Sequence, residues 1–331
     1  MSLARSAEPT RTSDPGQLVE ERRSGPDRQM AAPPAVHTIE LRKEFRNTVA
    51  LGGLSMTVGR GEVFGFLGPN GAGKTTAVKL LLGLMRPTGG EAMVLGAPAG
   101  DRETRRWIGY LPELFRFQSW LTADEVLTFH CRLLQLPRHR AEMMRTDVLG
   151  IVGLADRRAG KVGSFSKGMQ QRLGLAVALL GDPELVILDE PTSALDPVGR
   201  HDVRQIVRDL RSRGTSVFLN THLLEEAEQV CDRVTIIDKG RAVATGSLAD
   251  LLGTTSIVRF KVSGLGGEWW RDLTGVGSWH REDEWLVVQN VDARRVPDLV
   301  ASIVAAGGRV EAVIPEHRTL EERFLELLAD R

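Results

Sequence analysis

Gly68-Pro69-Asn70-Gly71-Ala72-Gly73-Lys74-Thr75-Thr76 is the stretch on which the fold turns. It fits G-x-x-x-x-G-K-[ST], the loop whose backbone N–H groups wrap the phosphates of a nucleotide. Such a string arises by chance as well, so its flanks decide. Before it, Val63-Phe64-Gly65-Phe66-Leu67 is a short apolar run of the length of a buried strand. After it, Ala77 to Leu84 reads as a helix packed on a sheet. Strand, glycine loop and helix form the context the motif requires. The glycines admit backbone conformations that a side chain obstructs. The helix start supplies free N–H groups and a positive dipole end.

Downstream, Leu185-Val186-Ile187-Leu188 runs into Asp189-Glu190. Four apolar residues ending in two acids describe a buried parallel strand with carboxylates at its C-terminal edge, where ligands of open α/β sheets bind. There Asp189 is suited to help hold Mg²⁺ and Glu190 to polarise a water. Pro191 to Asp196 forms a tight loop, a helix runs from Val198 to Arg211, and Ser216-Val217-Phe218-Leu219-Asn220 is the next strand. His222 follows it directly, at the same sheet edge, placed to touch a γ-phosphate. Ser166 is a strong N-cap for the helix behind it. Gly168 in that first turn is costly unless something must approach the backbone closely.

Upstream, Thr38 to Leu41 and Leu51 to Val58 read as strands, with Phe45 between them. An aromatic ring there can stack on a flat base; equally it can be a half-buried hydrophobe of a β-meander. After the first helix, Pro87 and Gly89-Gly90 read as a turn. A strand from Ile108 to Pro112 then ends at Glu113. The loop Leu114 to Trp120 carries three aromatics, read either as a docking surface or as filling for a helical core. Thr122-Ala123-Asp124-Glu125 is a capping box opening a helical stretch that continues to about residue 180.

The 331 residues suffice for one large domain and a smaller one. Hydrophobic content of 42% with 26% charged residues is that of an ordinary soluble protein. Zero net charge gives no support to nucleic-acid binding driven by overall charge, so no nucleic-acid partner is expected. The two cysteines have no metal-ligand spacing and read as reduced thiols. No apolar run reaches 18 residues and no secretory segment opens the chain, which leads to the expectation of a cytoplasmic protein whose membrane role, if any, runs through a partner. Residues 1–36 are nearly devoid of large apolar side chains and are expected to be a disordered tail.

The order of these pieces over 37–250 resembles the nucleotide-binding domain of ABC (ATP-binding cassette) transporters. Gly68 to Thr76 looks like Walker A, Leu185 to Glu190 like Walker B, and Ser193 to Asp196 like the D-loop. His222 matches the switch histidine, Phe45 the adenine-stacking aromatic, and Ser166 to Gln170 the signature. The signature departs from the usual Leu-Ser-Gly-Gly-Gln: it reads Phe165-Ser166-Lys167-Gly168-Met169. Glu113 stands where the family usually has a glutamine. Both variants are similar to those of bacterial daunorubicin-resistance-type exporter ATPases.

The resemblance implies an α/β fold of the P-loop NTPase kind: a RecA-like core, an antiparallel β-subdomain, a helical signature subdomain at about 115–180, and a small C-terminal α/β accessory domain over 255–331. It implies ATP and Mg²⁺ as ligands, ATP hydrolysis, a separate membrane permease, and a head-to-tail dimer with two sandwiched ATP molecules on the inner face of the membrane. Lys74, Glu113, Glu190 and His222 would be the catalytic set. Phe45, Gly68, Pro69, Asn70, Gly71, Ala72, Gly73, Lys74, Thr75, Thr76 and Asp196 would contact nucleotide, with Ser166 and Gly168 reaching the partner's ATP. Thr75, Asp189 and Glu113 would hold the metal. The competing class, soluble ABC ATPases acting on ribosomes or DNA, usually carries two cassettes or long coiled-coil insertions. This chain has one cassette and neither insertion. From Ser256 on, strands at 256–262 and 285–288, a helix at 296–306, a strand at 308–313 and a last capped helix are expected, with Trp269-Trp270-Arg271 as core or interface.

Overall fold

The computed structural model describes residues 32–252, 256–264, 277–317 and 319–329. The segment holding Trp269-Trp270-Arg271 and nearly all of the expected tail lie outside these residues. The chain enters the core slightly earlier than its composition suggests: Ala35 and Val36 are already fully buried.

Among the described residues, three sheets organise the fold. The first is antiparallel and starts with β1 (Val36–Phe45) and β2 (Thr48–Val58). After β3 (Val63–Leu67) and α1 (Lys74–Leu81), the chain returns to it as β4 (Gly89–Val94) and β5 (Ala97–Pro98). Its order is β2-β1-β4-β5. Gly89 and Gly90 therefore open a strand rather than make the turn expected of them. Gly89 pairs with Arg42 and the register slips between Ile39 and Arg42, a bulge that the Gly-Gly pair accommodates.

The second sheet builds the site. Its strands are β3, β6 (Ile108–Leu111), β7 (Leu185–Asp189), β8 (Ser216–Thr221), β9 (Arg233–Asp238) and β10 (Arg241–Ser247), in the order β10-β9-β3-β8-β7-β6. Five run parallel; β10 closes the edge as an antiparallel hairpin. Every residue of β3, β7 and β8 is buried, as strands covered on both faces must be. Register sets the next level: Leu67 pairs with Thr221 and Asp189 with Asn220, so three strands end side by side.

Between β6 and β7 stand α2 (Ala123–Leu133), α3 (Arg138–Ile151) and α4 (Lys167–Ala178). The capping box expected at Thr122 and Glu125 closes α2 in both directions. The aromatic loop divides its residues. Phe115 and Phe117, with ring centroids 5.2 Å apart, pack on the helical core, where Phe115 approaches Gly174 closely. Leu114 and Trp120 stay outside at 87% and 69% exposure.

Beyond β7 and β8 lie α5 (Pro197–Ser212) and α6 (Leu224–Val230), and after β10 comes the short α7 (Leu248–Leu252). The third sheet holds β11 (Ser256–Ser263), β12 (Ser278–Glu282), β13 (Trp285–Val291) and β14 (Arg309–His317), in the order β12-β13-β11-β14. With α8 (Val296–Ala305) it forms a core of its own around Phe260, Val288, Leu299 and Ile303. The last helix, α9 (Leu320–Ala329), does not join that core. It packs on α6 and α7, and Leu320 is fully buried in the main one.

Candidate active site

The loop after β3 is shaped by two close approaches. A Cβ on Gly68 would sit 2.2 Å from the Ile237 carbonyl oxygen. One on Gly73, at φ 105°, would meet the Ala50 carbonyl at 2.4 Å. Neither position tolerates a side chain. Lys74 opens α1, and its ammonium donates to the carbonyls of Gly68 (2.7 Å) and Pro69 (3.2 Å). Burial lowers the Lys74 pKa, while Glu190, Asp189 and Glu113 pull it back up. The three carboxylates thus hold a desolvated cation at the mouth of the loop.

Asp189 ends β7 at 1% exposure and accepts a hydrogen bond from Asn220 Nδ2 across the register pair. Burial raises its pKa, with Glu113 and Glu190 adding to the rise against Asn220 and Lys74. Nearby, burial together with Asp189 and Glu113 pushes the Tyr110 phenol up to about 12, so it stays a neutral donor.

Glu190 has a left-handed backbone, φ 52°, unusual for a residue with a side chain and costing about 1 kcal/mol or more. Local bonds hold it there: its N–H donates to the Asn220 carbonyl at 2.9 Å, and its carbonyl accepts from Ser193 Oγ at 3.1 Å. The turn aims the carboxylate at the end of β8. Oε1 accepts from the His222 N–H at 3.1 Å and lies 2.8 Å from His222 Nδ1. A carboxylate only accepts, so Nδ1 carries the proton in this contact and Nε2 is left free.

Lys74, Asp189, Glu190 and His222 line one open cavity of about 330 Å³. Its walls include Asn70, Gly71, Gly73, Lys74, Thr75 and Thr76 from the loop, with Glu113, Asp189, Glu190 and His222 from the other strand ends. Phe45 is outside the lining, though its backbone pairs with Thr48, which is in it; Lys43 Nζ lies 5.0 Å from the Phe45 ring centroid. The other expected residues are placed differently. Asp196 caps α5, accepting from Gly199 N at 2.8 Å, and does not line the cavity. Ser166 caps α4, accepting from Met169 N at 3.2 Å, and is exposed; neither it nor the half-buried Gly168 lines the cavity. A Cβ on Gly168 would meet Leu195 Cδ2 at 3.3 Å and Ser166 Oγ at 3.9 Å, so this chain by itself makes a modest demand for glycine there.

Asn220 and Ser193 line the cavity and steady the two acids, roles the sequence reading missed. A polar residue closing an otherwise apolar strand was the available signal for Asn220. Its Oδ1 is buried with no hydrogen-bond partner. Among the described residues, no group of three or more His, Cys, Asp or Glu side chains is arranged to hold a metal. Hard oxygen donors are present in Thr75, Asp189 and Glu113, a set that fits Mg²⁺ when phosphate oxygens complete the shell.

A family model described as ABC transporter matches residues 51–193. An uncharacterized ABC transporter ATP-binding protein of Nostoc sp. is 40% identical over 314 residues, covering 91% of this chain and 92% of that protein. A Nod factor export ATP-binding protein of Rhizobium sp. is 39% identical over 215 residues, 64% of this chain and 71% of that one. Among solved structures, a dimeric ATP-binding cassette in a post-hydrolysis state bound to ADP and phosphate aligns with TM-score 0.58 and 26% identity, over 64% of this chain and 98% of its own. The phosphate loop, the strand-end carboxylates and these likenesses agree: the chain belongs to the ATP-binding proteins of ABC transporters, ATPases of the P-loop NTPase fold.

Proposed function

We propose that the chain is the ATP-hydrolysing subunit of an exporter, working on the cytoplasmic face of a membrane through a separate permease and pairing head to tail with a second copy. The observation that carries this reading is a division of residues. Lys74, Asp189, Glu190 and His222 converge on one cavity, whereas Ser166 and Gly168 do not line it. A residue pair at an exposed helix start, with a free dipole end, suits the γ-phosphate of another copy's ATP. The dimeric, ADP- and phosphate-bound relative supports the pairing, and the Rhizobium relative's name supports export. Among the described residues no helix is long and apolar enough to cross a membrane, so transport needs a partner that does. Efflux of a drug-like or lipid-like compound is the narrower form, resting on resemblance to the daunorubicin-resistance type.

In this reading the loop amides and Lys74 neutralise the β- and γ-phosphates, and the ammonium exchanges the carbonyls of Gly68 and Pro69 for phosphate oxygens. Phe45 stacks on the adenine. Thr75, Asp189 and Glu113 hold Mg²⁺, which supplies charge neutralisation on the phosphates when bound. Glu190 orients and polarises the attacking water, and His222, turned by its Nδ1 contact with Glu190, offers Nε2 to the γ-phosphate. Glu190→Gln is expected to bind ATP, to lose nearly all hydrolysis and to elute as an ATP-bound dimer in size-exclusion chromatography. Hydrolysis at the wild-type rate would remove Glu190 from its role.

A further inference from the structure

α6 begins two residues after His222 and is only seven residues long. So short a helix does not hold itself in place; its neighbours do. From one side, Arg204 Nη1 of α5 donates to both carboxylate oxygens of Glu226 at 2.8 Å. The pair is largely buried, beside Pro191 and Thr192, which follow Glu190, and Thr221, which precedes His222. From the other side comes α9, 92 residues further along the chain. Leu320 is fully buried in the cluster that contains Ala227 and Val230 of α6, with Phe324 and Leu327 packed on it. The Leu320 N–H, a donor that the start of α9 leaves unpaired, donates to Glu228 Oε2 of α6 at 3.1 Å. The rest of that first turn is closed locally, by the reciprocal bonds of Thr319 and Glu322.

We infer that α9 is a positioning element for His222: by gripping α6 through Leu320 and Glu228, it fixes the loop before α6 and thereby the Glu190–His222 contact. The inference rests on the reading of Glu190 and His222 as the hydrolytic pair. It gives the C-terminal segment a task in ATP hydrolysis although no residue of that segment lines the cavity. Leu320 and Glu228 touch no reacting atom; they act through α6.

The test uses the full chain. Glu228→Ala and Leu320→Ala are expected to lower kcat for ATP by about fivefold, the size of coupling that a relayed contact carries. KM should stay within about twofold, because the phosphate loop is untouched. Glu228→Gln, which keeps an acceptor for the Leu320 N–H, should recover most of the rate. A second readout does not depend on hydrolysis. In ¹⁵N-histidine-labelled, nucleotide-free protein, the ring signals of His222, identified by their loss in His222→Ala, should move in Glu228→Ala while those of His37 and His130 stay. Unmoved His222 signals, or wild-type kcat in both alanine variants, would overturn the inference. Full hydrolysis by His222→Ala would instead overturn the reading of the site on which it rests.

Discussion

Asp189 and Lys74 lie at one cavity in which each carries a cost. Burial raises the carboxyl's pKa and lowers the ammonium's, and their mutual attraction offsets only part of this. A folded-state carboxyl with a raised pKa binds protons that the unfolded chain has already released. Stability therefore falls as pH rises from the ordinary aspartate value of about 3.9 through the raised one, then levels off. Asp189→Asn removes that cost and keeps an acceptor for Asn220. The nucleotide-free variant is expected to melt above the wild type at neutral pH, with the gain shrinking as pH is lowered, and to lose Mg²⁺-dependent hydrolysis. Thermal melts across a pH series check the sign; a lower melting temperature at neutral pH would show that Asp189 serves stability first. The placement of Asp189 and Glu190 at a strand end beside the phosphate loop was legible because the two acids close an apolar run. Asn220 was not, since its role depends on which strand lies beside it, and the β7–β8 register is a tertiary fact.

Among the elements, those with a strong local signature were legible and those defined by pairing were not. β3, β7 and β8 are apolar runs, and α2 opens on a capping box whose residue types announce it. β4 begins with Gly-Gly, which read alone means a turn; only the bulge opposite β1 makes it a strand. β12 has a polar sequence with one inward ring, Trp279 stacked on Phe260, and exists through its pairing with β13. α4 separates two roles of one side chain. Ser166 caps the helix, and in the proposed dimer its hydroxyl also meets a γ-phosphate. Aspartate is as good an N-cap as serine, but it places a negative charge at the helix start. Ser166→Asp should therefore keep monomer stability within about 0.5 kcal/mol of wild type while losing ATP-dependent dimer formation. Denaturant melts and analytical ultracentrifugation with ATP read the two effects separately. If both properties survive, α4 does not face the nucleotide.

Over the whole molecule, the cavity holds the loop, the acids and the histidine, and in the proposed dimer a second copy covers the γ-phosphate from the outer side. The residues suited to that lie elsewhere on the same chain. In the proposed dimer each chain thus carries two half-sites, each completed by the other copy. A working site in the proposed dimer takes Lys74 from one copy and Ser166 from another. Mixing two inactive variants, Lys74→Ala and Ser166→Asp, tests it most directly. In a mixed dimer one site has both defects and the other has neither. Random pairing of equal amounts should recover hydrolysis up to roughly a quarter of the wild-type rate, although each variant alone is inactive. No recovery in mixtures shown to contain mixed dimers would contradict the composite site.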